Sequence, residues 1–182
     1  MVLIKMRGII LYFSKYVSTK KYVDWLSKST NFDVVPVKKA KKSHIKDYDV
    51  IILGSGIYAS GIKGVKFLRK HAKLLSDKKV LIFCVGASPF DEKAFQTLKD
   101  HNLKDDLKHI PCFYLRGAWN MDKMTFIDRT LCKLLFKMLA KKEKDKLEVW
   151  EKALLAAGNR VVDWTNERYL APITKYLANL NQ

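Results

Sequence analysis

Short apolar runs recur along the chain, each broken by glycine, proline or a polar cluster, with longer segments of helical spacing between them. Arg7–Phe13 (RGIILYF), Asp49–Leu53 (DVIIL) and Lys79–Val85 (KVLIFCV) read as strands buried on both faces. Phe32–Val37 (FDVVPV) is a short strand whose Pro36 suits a sheet edge. Pro111–Leu115, led in by His109 and Ile110, is the fifth. Tyr22, Val23, Trp25 and Leu26 share one face of a helix over Thr19–Ser29, and a second helix runs over about Lys63–Leu75. Two helical regions follow the last strand, Thr125 to about Ala157 and Asp163 to about Leu180. Asp163 is placed to N-cap the latter. Pro172 inside it should kink it or move its start.

Strands alternating with helices imply parallel pairing through right-handed crossovers. The pattern predicts an α/β fold, a doubly wound five-stranded parallel sheet of order 2-1-3-4-5 with helices on both faces. No repeat or Pro/Gly/Ser-rich linker divides the 182 residues, so residues 1–182 are expected to form a single domain. Ligands of such a sheet sit beyond the carboxyl ends of the strands, beside strand 1. The residues that follow each strand therefore carry the functional information.

After strand 1 stands Ser14-Lys15-Tyr16-Val17-Ser18-Thr19, leading directly into a helix. Unpaired N–H groups, the positive helix end and three hydroxyls suit a phosphate monoester, whereas an ordinary N-cap by Ser18 or Thr19 is the plainer alternative. Neither Gly-x-x-x-x-Gly-Lys-Ser/Thr nor Gly-x-Gly-x-x-Gly occurs there, which disfavours a P-loop NTPase and a dinucleotide site. After strand 3, Gly54-Ser55-Gly56-Ile57-Tyr58-Ala59-Ser60-Gly61 allows close backbone approach and offers the flat face of Tyr58. Gly86-Ala87-Ser88-Pro89 follows strand 4, and Gly117-Ala118-Trp119-Asn120 follows strand 5. Together the strand ends describe a site for a flat phosphorylated ligand, and flavin mononucleotide (FMN) fits best.

Cys84, Cys112 and Cys132 are scattered and the four histidines lack ligand spacing, which favours a reducing compartment and argues against disulfides and a metal site. No apolar stretch approaches the ~20 residues of a membrane span. The interrupted MVLIKMRGIILYF is not expected to be a signal peptide. A net charge of +17 draws the protein toward phosphates, of nucleic acid or of anionic lipid. No helix-turn-helix, RRM signature or set of interleaved stacking aromatics is present, so nucleic acid is the less favoured partner.

YFS-x-x-x-S-T-K-K after strand 1 resembles the flavodoxin phosphate loop, commonly Tyr-Phe-Ser-x-Thr-Gly-Asn-Thr, and Gly54–Tyr58 with Gly61 resembles that family's second flavin loop. The closest likeness is to the menaquinone-dependent protoporphyrinogen oxidase branch. It rests on YDVIILGSGIY leading into KFLRKHA, on LRGAWNMDKMTFIDRTLCKLLFKML, and on VDWTN. Tyr16 and Val17 depart from the pattern, and Val17 tolerates positive φ poorly. The resemblance implies a flavodoxin-like redox protein with FMN phosphate at Ser14, Lys15, Tyr16, Val17, Ser18 and Thr19. The ring would lie among Ser55, Gly56, Ile57, Tyr58, Gly86, Ala87 and Ser88, with Trp119 near the mouth. No residue is placed as a catalytic acid or base. The protein would be an oxidoreductase, or a non-catalytic electron carrier serving a partner reductase.

Ordinary flavodoxins are acidic, as the resemblance implies, and this chain is not. On a helical wheel of Asp128–Ala140, Leu131, Leu134, Leu135, Met138 and Leu139 form a stripe widened by Cys132 and Phe136, with Lys133 and Lys137 at its edge. Such a helix suits an anionic membrane surface or burial against the sheet. The lysines also suit a carboxylate-bearing tetrapyrrole. Expected partners are thus menaquinone or a reductase, an acidic tetrapyrrole, and anionic lipid, with a cytoplasmic location peripheral to the inner face of the membrane.

Overall fold

The computed structural model describes residues 6–180; the start of the segment discussed above as a leader lies outside them. Its central sheet runs β2-β1-β3-β5-β6, comprising β1 (Gly8–Phe13), β2 (Asp33–Pro36), β3 (Val50–Tyr58), β5 (Lys79–Gly86) and β6 (Cys112–Arg116), all parallel. This is the expected order 2-1-3-4-5. The short β4 (Gly61–Ile62) adds to it, pairing antiparallel with the end of β3. Pro36 ends the edge strand, where its missing N–H does no harm.

Period-two alternation splits each strand between two cores. Ile9, Leu11, Ile51, Leu53, Ile82 and Cys84 face one side. They are covered there by α2 (Ser43–Lys46), α3 (Val65–Lys70) and α4 (Glu92–Asn102) through Ile45, Leu68 and Phe95. Ile10, Ile52, Leu81, Phe83 and Leu115 face the other, covered by α1 (Val17–Thr30) and α7 (Ala171–Asn179) through Tyr22, Leu26 and Ile173. Gly54 is held by packing, since a Cβ there would lie 2.3 Å from the ring of Phe83.

Several elements differ from the sequence reading. Helix α4 was not predicted; the Asp91 carboxylate caps it by accepting from the Ala94 N–H (2.7 Å), and Phe95 and Leu98 bury its inner side. The second predicted helix ends earlier, α3 giving way to a 3₁₀ turn at Ala72–Leu74. The region from Thr125 to Ala157 is two helices, α5 (Phe126–Leu139) and α6 (Val149–Ala157), separated by the lysine-rich 141–146. Asp163 does not cap a helix. It lies in β8 (Val162–Asp163), which pairs antiparallel with β7 (Ala118–Trp119), and α7 starts only at Ala171, with Pro172 in its first turn where no N–H is needed.

The β7–β8 ribbon closes the base of an excursion, residues 118–163, that leaves the sheet after β6 and carries α5 and α6. The Trp164 N–H reaches the Gly117 carbonyl (3.1 Å) across the same neck. Tyr22 pins the neck to the sheet, its hydroxyl donating to the Arg116 carbonyl (2.5 Å) and accepting from the Asn166 N–H (3.2 Å). Burial pushes its pKa up to about 12. The predicted stripe of α5 is also divided. Cys132 and Phe136 turn inward with Leu139, whereas Leu131, Leu134 and Met138 are exposed.

Candidate functional site

The carboxyl ends of β1, β3, β5 and β6 converge where a doubly wound sheet takes its ligand. The turn after β1 is short: Ser14 donates to the Tyr16 carbonyl, Tyr16 is extended at the N-cap (φ −123°), and Val17 is already helical. Positive φ is therefore not required of Val17, and the Tyr-Val departure from the usual loop strains nothing. Neither Ser18 nor Thr19 is the N-cap; both lie in the first turn. No side chain caps α1, and its first turn contains no acid. The first-turn N–H groups of this 14-residue helix thus keep their donor capacity and their positive end. Thr19 is buried, and Ser18 packs against the turn after β6, where a Cβ on Gly117 would lie 3.4 Å from it.

The segment Ser55–Tyr58 is strand rather than loop, because β3 continues to Tyr58 and turns back through Ala59 and Ser60 into β4. Both turn residues have positive φ (47° and 59°), the twist that a two-residue hairpin demands. Ser55 is fully buried, and its hydroxyl donates to the Gly56 carbonyl (2.8 Å). Tyr58 folds over Gly56, where a Cβ would lie 2.6 Å from its hydroxyl oxygen. That hydroxyl accepts the Lys15 N–H (2.8 Å) and also faces the Tyr16 N–H. Burial raises its pKa, so it stays protonated. Tyr58 therefore stands at the loop between β1 and α1, with Phe13 edge-on at 5.7 Å.

A second clasp comes from the excursion. The Asp128 carboxylate at the start of α5 takes the Lys15 ammonium (2.5 Å) and the Tyr16 hydroxyl, and the Thr125 N–H donates to that same hydroxyl (3.3 Å). The bond from Lys15, then that from Tyr16, holds the Asp128 carboxyl below the ordinary carboxylate range. Sequence reasoning missed Asp128 and Thr125 as neighbours of this loop. More than a hundred residues separate them from it, and no local pattern records such a contact.

Beyond Tyr58 opens a cavity of about 1070 Å³. Ile57 and the Ala59–Ser60 turn form one wall, Gly86-Ala87-Ser88-Pro89 a second, and α6 a third, with Tyr114, Trp119, Trp150 and Trp164 contributing rings. Ser88 and Tyr114 share a hydroxyl contact (3.2 Å), and Tyr114 also donates to the Ser88 carbonyl (2.7 Å). Burial raises the Tyr114 pKa, so it remains a donor. Trp119 is buried beneath the excursion, donates to the Gly158 carbonyl (2.8 Å) and packs edge-on against Phe136, so it forms the floor of the cavity rather than its mouth. The structure thus gathers Ile57, Gly86, Ala87, Ser88 and Trp119 around the cavity. Residues 14–19 do not line it; they approach it through Tyr58, which follows Ile57 and accepts the Lys15 N–H, and through Gly117, which lies against Ser18 and donates to the Gly86 carbonyl. Among the described residues no cluster of three His, Cys, Asp or Glu could hold a metal.

An open α/β sheet with an uncapped helix start beside its switch point belongs to the doubly wound, ligand-binding class. The flavodoxin domain family model matches residues 9–146, and the chain belongs to that family. An uncharacterized protein of Methanocaldococcus jannaschii is 34% identical over 106 residues, covering 57% of this chain and 67% of that one. Among solved structures, a flavodoxin from the domain Archaea shares 19% identity (TM-score 0.42, 71% of this chain and 92% of that one). The two-electron reduced flavodoxin of Megasphaera elsdenii shares 18% (TM-score 0.45, 59% and 82%).

Proposed function

We propose that this protein binds FMN and works as an oxidoreductase. The observation that carries the reading is the uncapped start of α1, separated only by Tyr58 and Gly117 from a cavity walled by the ends of β3 and β5. The donor set fits a phosphate monoester. It comprises the N–H groups of Val17, Ser18 and Thr19, the Ser18 hydroxyl, and the Lys15 ammonium once it leaves Asp128. A bound flavin supplies the electron transfer. The chain's own residues bind and orient. Tyr58 fixes the backbone of the loop by accepting the Lys15 N–H, the rings of Trp119 and Trp164 line the cavity, and Tyr114 holds a proton at its hydroxyl oxygen.

The size of the cavity favours an enzyme over a simple carrier. Pockets for one drug-sized ligand run to about 300–1,000 Å³, and with the phosphate proposed at residues 14–19, outside the cavity, 1070 Å³ is ample for a flavin ring together with a substrate. A quinone acceptor, and an acidic tetrapyrrole drawn by the lysines, are the substrates that the sequence resemblance favours. Titration with FMN, read by flavin fluorescence and the shift of its visible spectrum, tests the reading. Saturable one-to-one binding, about tenfold or more tighter than riboflavin because the phosphate adds charge-assisted bonds, is expected. Unchanged spectra of dye and protein would refute it.

A further inference from the structure

Helix α5 carries two apolar faces. Its inner one packs Cys132 and Phe136 with Trp119 and Met121 of the excursion and buries Leu139. Its outer one is a separate line. Ile127, Leu131, Leu134 and Met138 recur at spacings of four, three and four residues, so they stand in one row along the helix. All four are more than half exposed, from 55% to 69%, and Phe126 at the helix start is 84% exposed. A soluble monomer scatters such residues singly; here they are contiguous. Lys133 and Lys137 border the row on one side, and Lys141 follows just past the helix. None of the three makes an ion pair with a described residue, unlike Lys142 and Lys146 nearby.

From this we infer that α5 docks on the surface of an anionic lipid bilayer, its outer row entering the headgroup–acyl boundary and its lysines meeting lipid phosphates. Charge decides the occupant. A second copy would bring two lysine borders and two chains of net charge +17 face to face. Anionic lipid answers that charge instead. Exposure agrees: the row stands open to solvent along the helix with Phe126 the most exposed at its start, an arrangement a fluid bilayer accepts without a matching groove. The ridge is also held rigidly, since Asp128 and Thr125 fasten its start to residues 15–16 while the inner face anchors its length. Among the described residues no helix is long and apolar enough to cross a membrane, so contact is at the surface.

Co-sedimentation of the full chain with phosphatidylcholine vesicles, with and without phosphatidylglycerol, tests the inference and needs no flavin. Binding is expected only to the phosphatidylglycerol vesicles and should weaken as salt is raised. The double change Leu134→Gln with Met138→Gln should lower the partition about tenfold or more, at unaltered circular dichroism because both side chains are exposed. Lys133→Gln with Lys137→Gln should lower it about tenfold on anionic vesicles. Equal partition onto both vesicle types, no binding to either, or retention by the Leu134/Met138 variant overturns the inference. A dimer by light scattering that dissociates in that variant overturns it equally, by giving the row to a second copy.

Discussion

Asp128 ties the excursion to the loop after β1 by holding two residues, Lys15 and Tyr16, of the segment proposed above to take the FMN phosphate. Its pair with Lys15 is partly open to solvent, 25% and 36% exposed, so its contribution to stability is modest, about 0.5–1 kcal/mol. The sign follows from linkage. The folded carboxyl is held below the unfolded value of about 3.9, so the stabilisation is present above that pH. As pH falls further the unfolded chain takes up the proton first, and the contribution is lost through the folded pKa. Asp128→Asn should therefore be less stable than the parent at neutral pH, and the gap should close in acid. Urea unfolding at a series of pH values measures it; a gap independent of pH would show that the carboxylate is not the cause. Val17 teaches a smaller lesson. A β-branched residue is tolerated where the family often has glycine because the backbone here is already helical.

Helix α6 forms one wall of the cavity, and it is locally wired to hold that position. The Glu148 and Glu151 side chains cap its start reciprocally, while the buried Glu151 carboxylate also takes Lys142 (2.7 Å), tying the helix to the end of the lysine run. Glu151→Ala removes both links and should cost about 1–2 kcal/mol of local stability. Amide exchange of α6 should then quicken about 5–30-fold, with β3 and β5 unaffected, since the excursion joins the sheet through a narrow neck. Uniform loss of protection across the sheet would show that the excursion does not open on its own. The β3 hairpin works by similar local means. Ala59 and Ser60 accept positive φ because the β4 pairing holds them there.

The molecule as a unit is a sheet covered on both faces, with its cavity at the carboxyl ends of the strands. A ligand bridging the α1 start and the cavity walls would tie together the ends of β1, β3, β5 and β6, and should stabilise the fold globally. FMN at about 100 times its Kd should add about 2.7 kcal/mol, which for a chain of this length raises Tm by about 5–10 °C. Riboflavin, lacking the phosphate, should give a smaller rise at equal concentration. Differential scanning calorimetry decides this, and equal shifts would remove residues 14–19 from the binding surface.

The parallel sheet, its strand order and the loop leading into α1 were legible in the amino-acid order, because alternating burial and helical spacing are local signals. The family followed from motifs spread over much of the chain. Asp91 followed by Phe95 and Leu98 also announced α4, a local signal overlooked. Other features depended on distant contacts. Tyr58 reaches Lys15 across 43 positions and Asp128 reaches Tyr16 across 112, while Cys84 and Cys112 bring their sulfurs to 3.6 Å from adjacent strands. The outward and inward rows of α5 look alike in sequence; only its packing on Trp119 and Met121 decides which leucines meet solvent. Periodicity shows that a side chain is apolar and which neighbours share its face, but what that face meets is set by the tertiary structure.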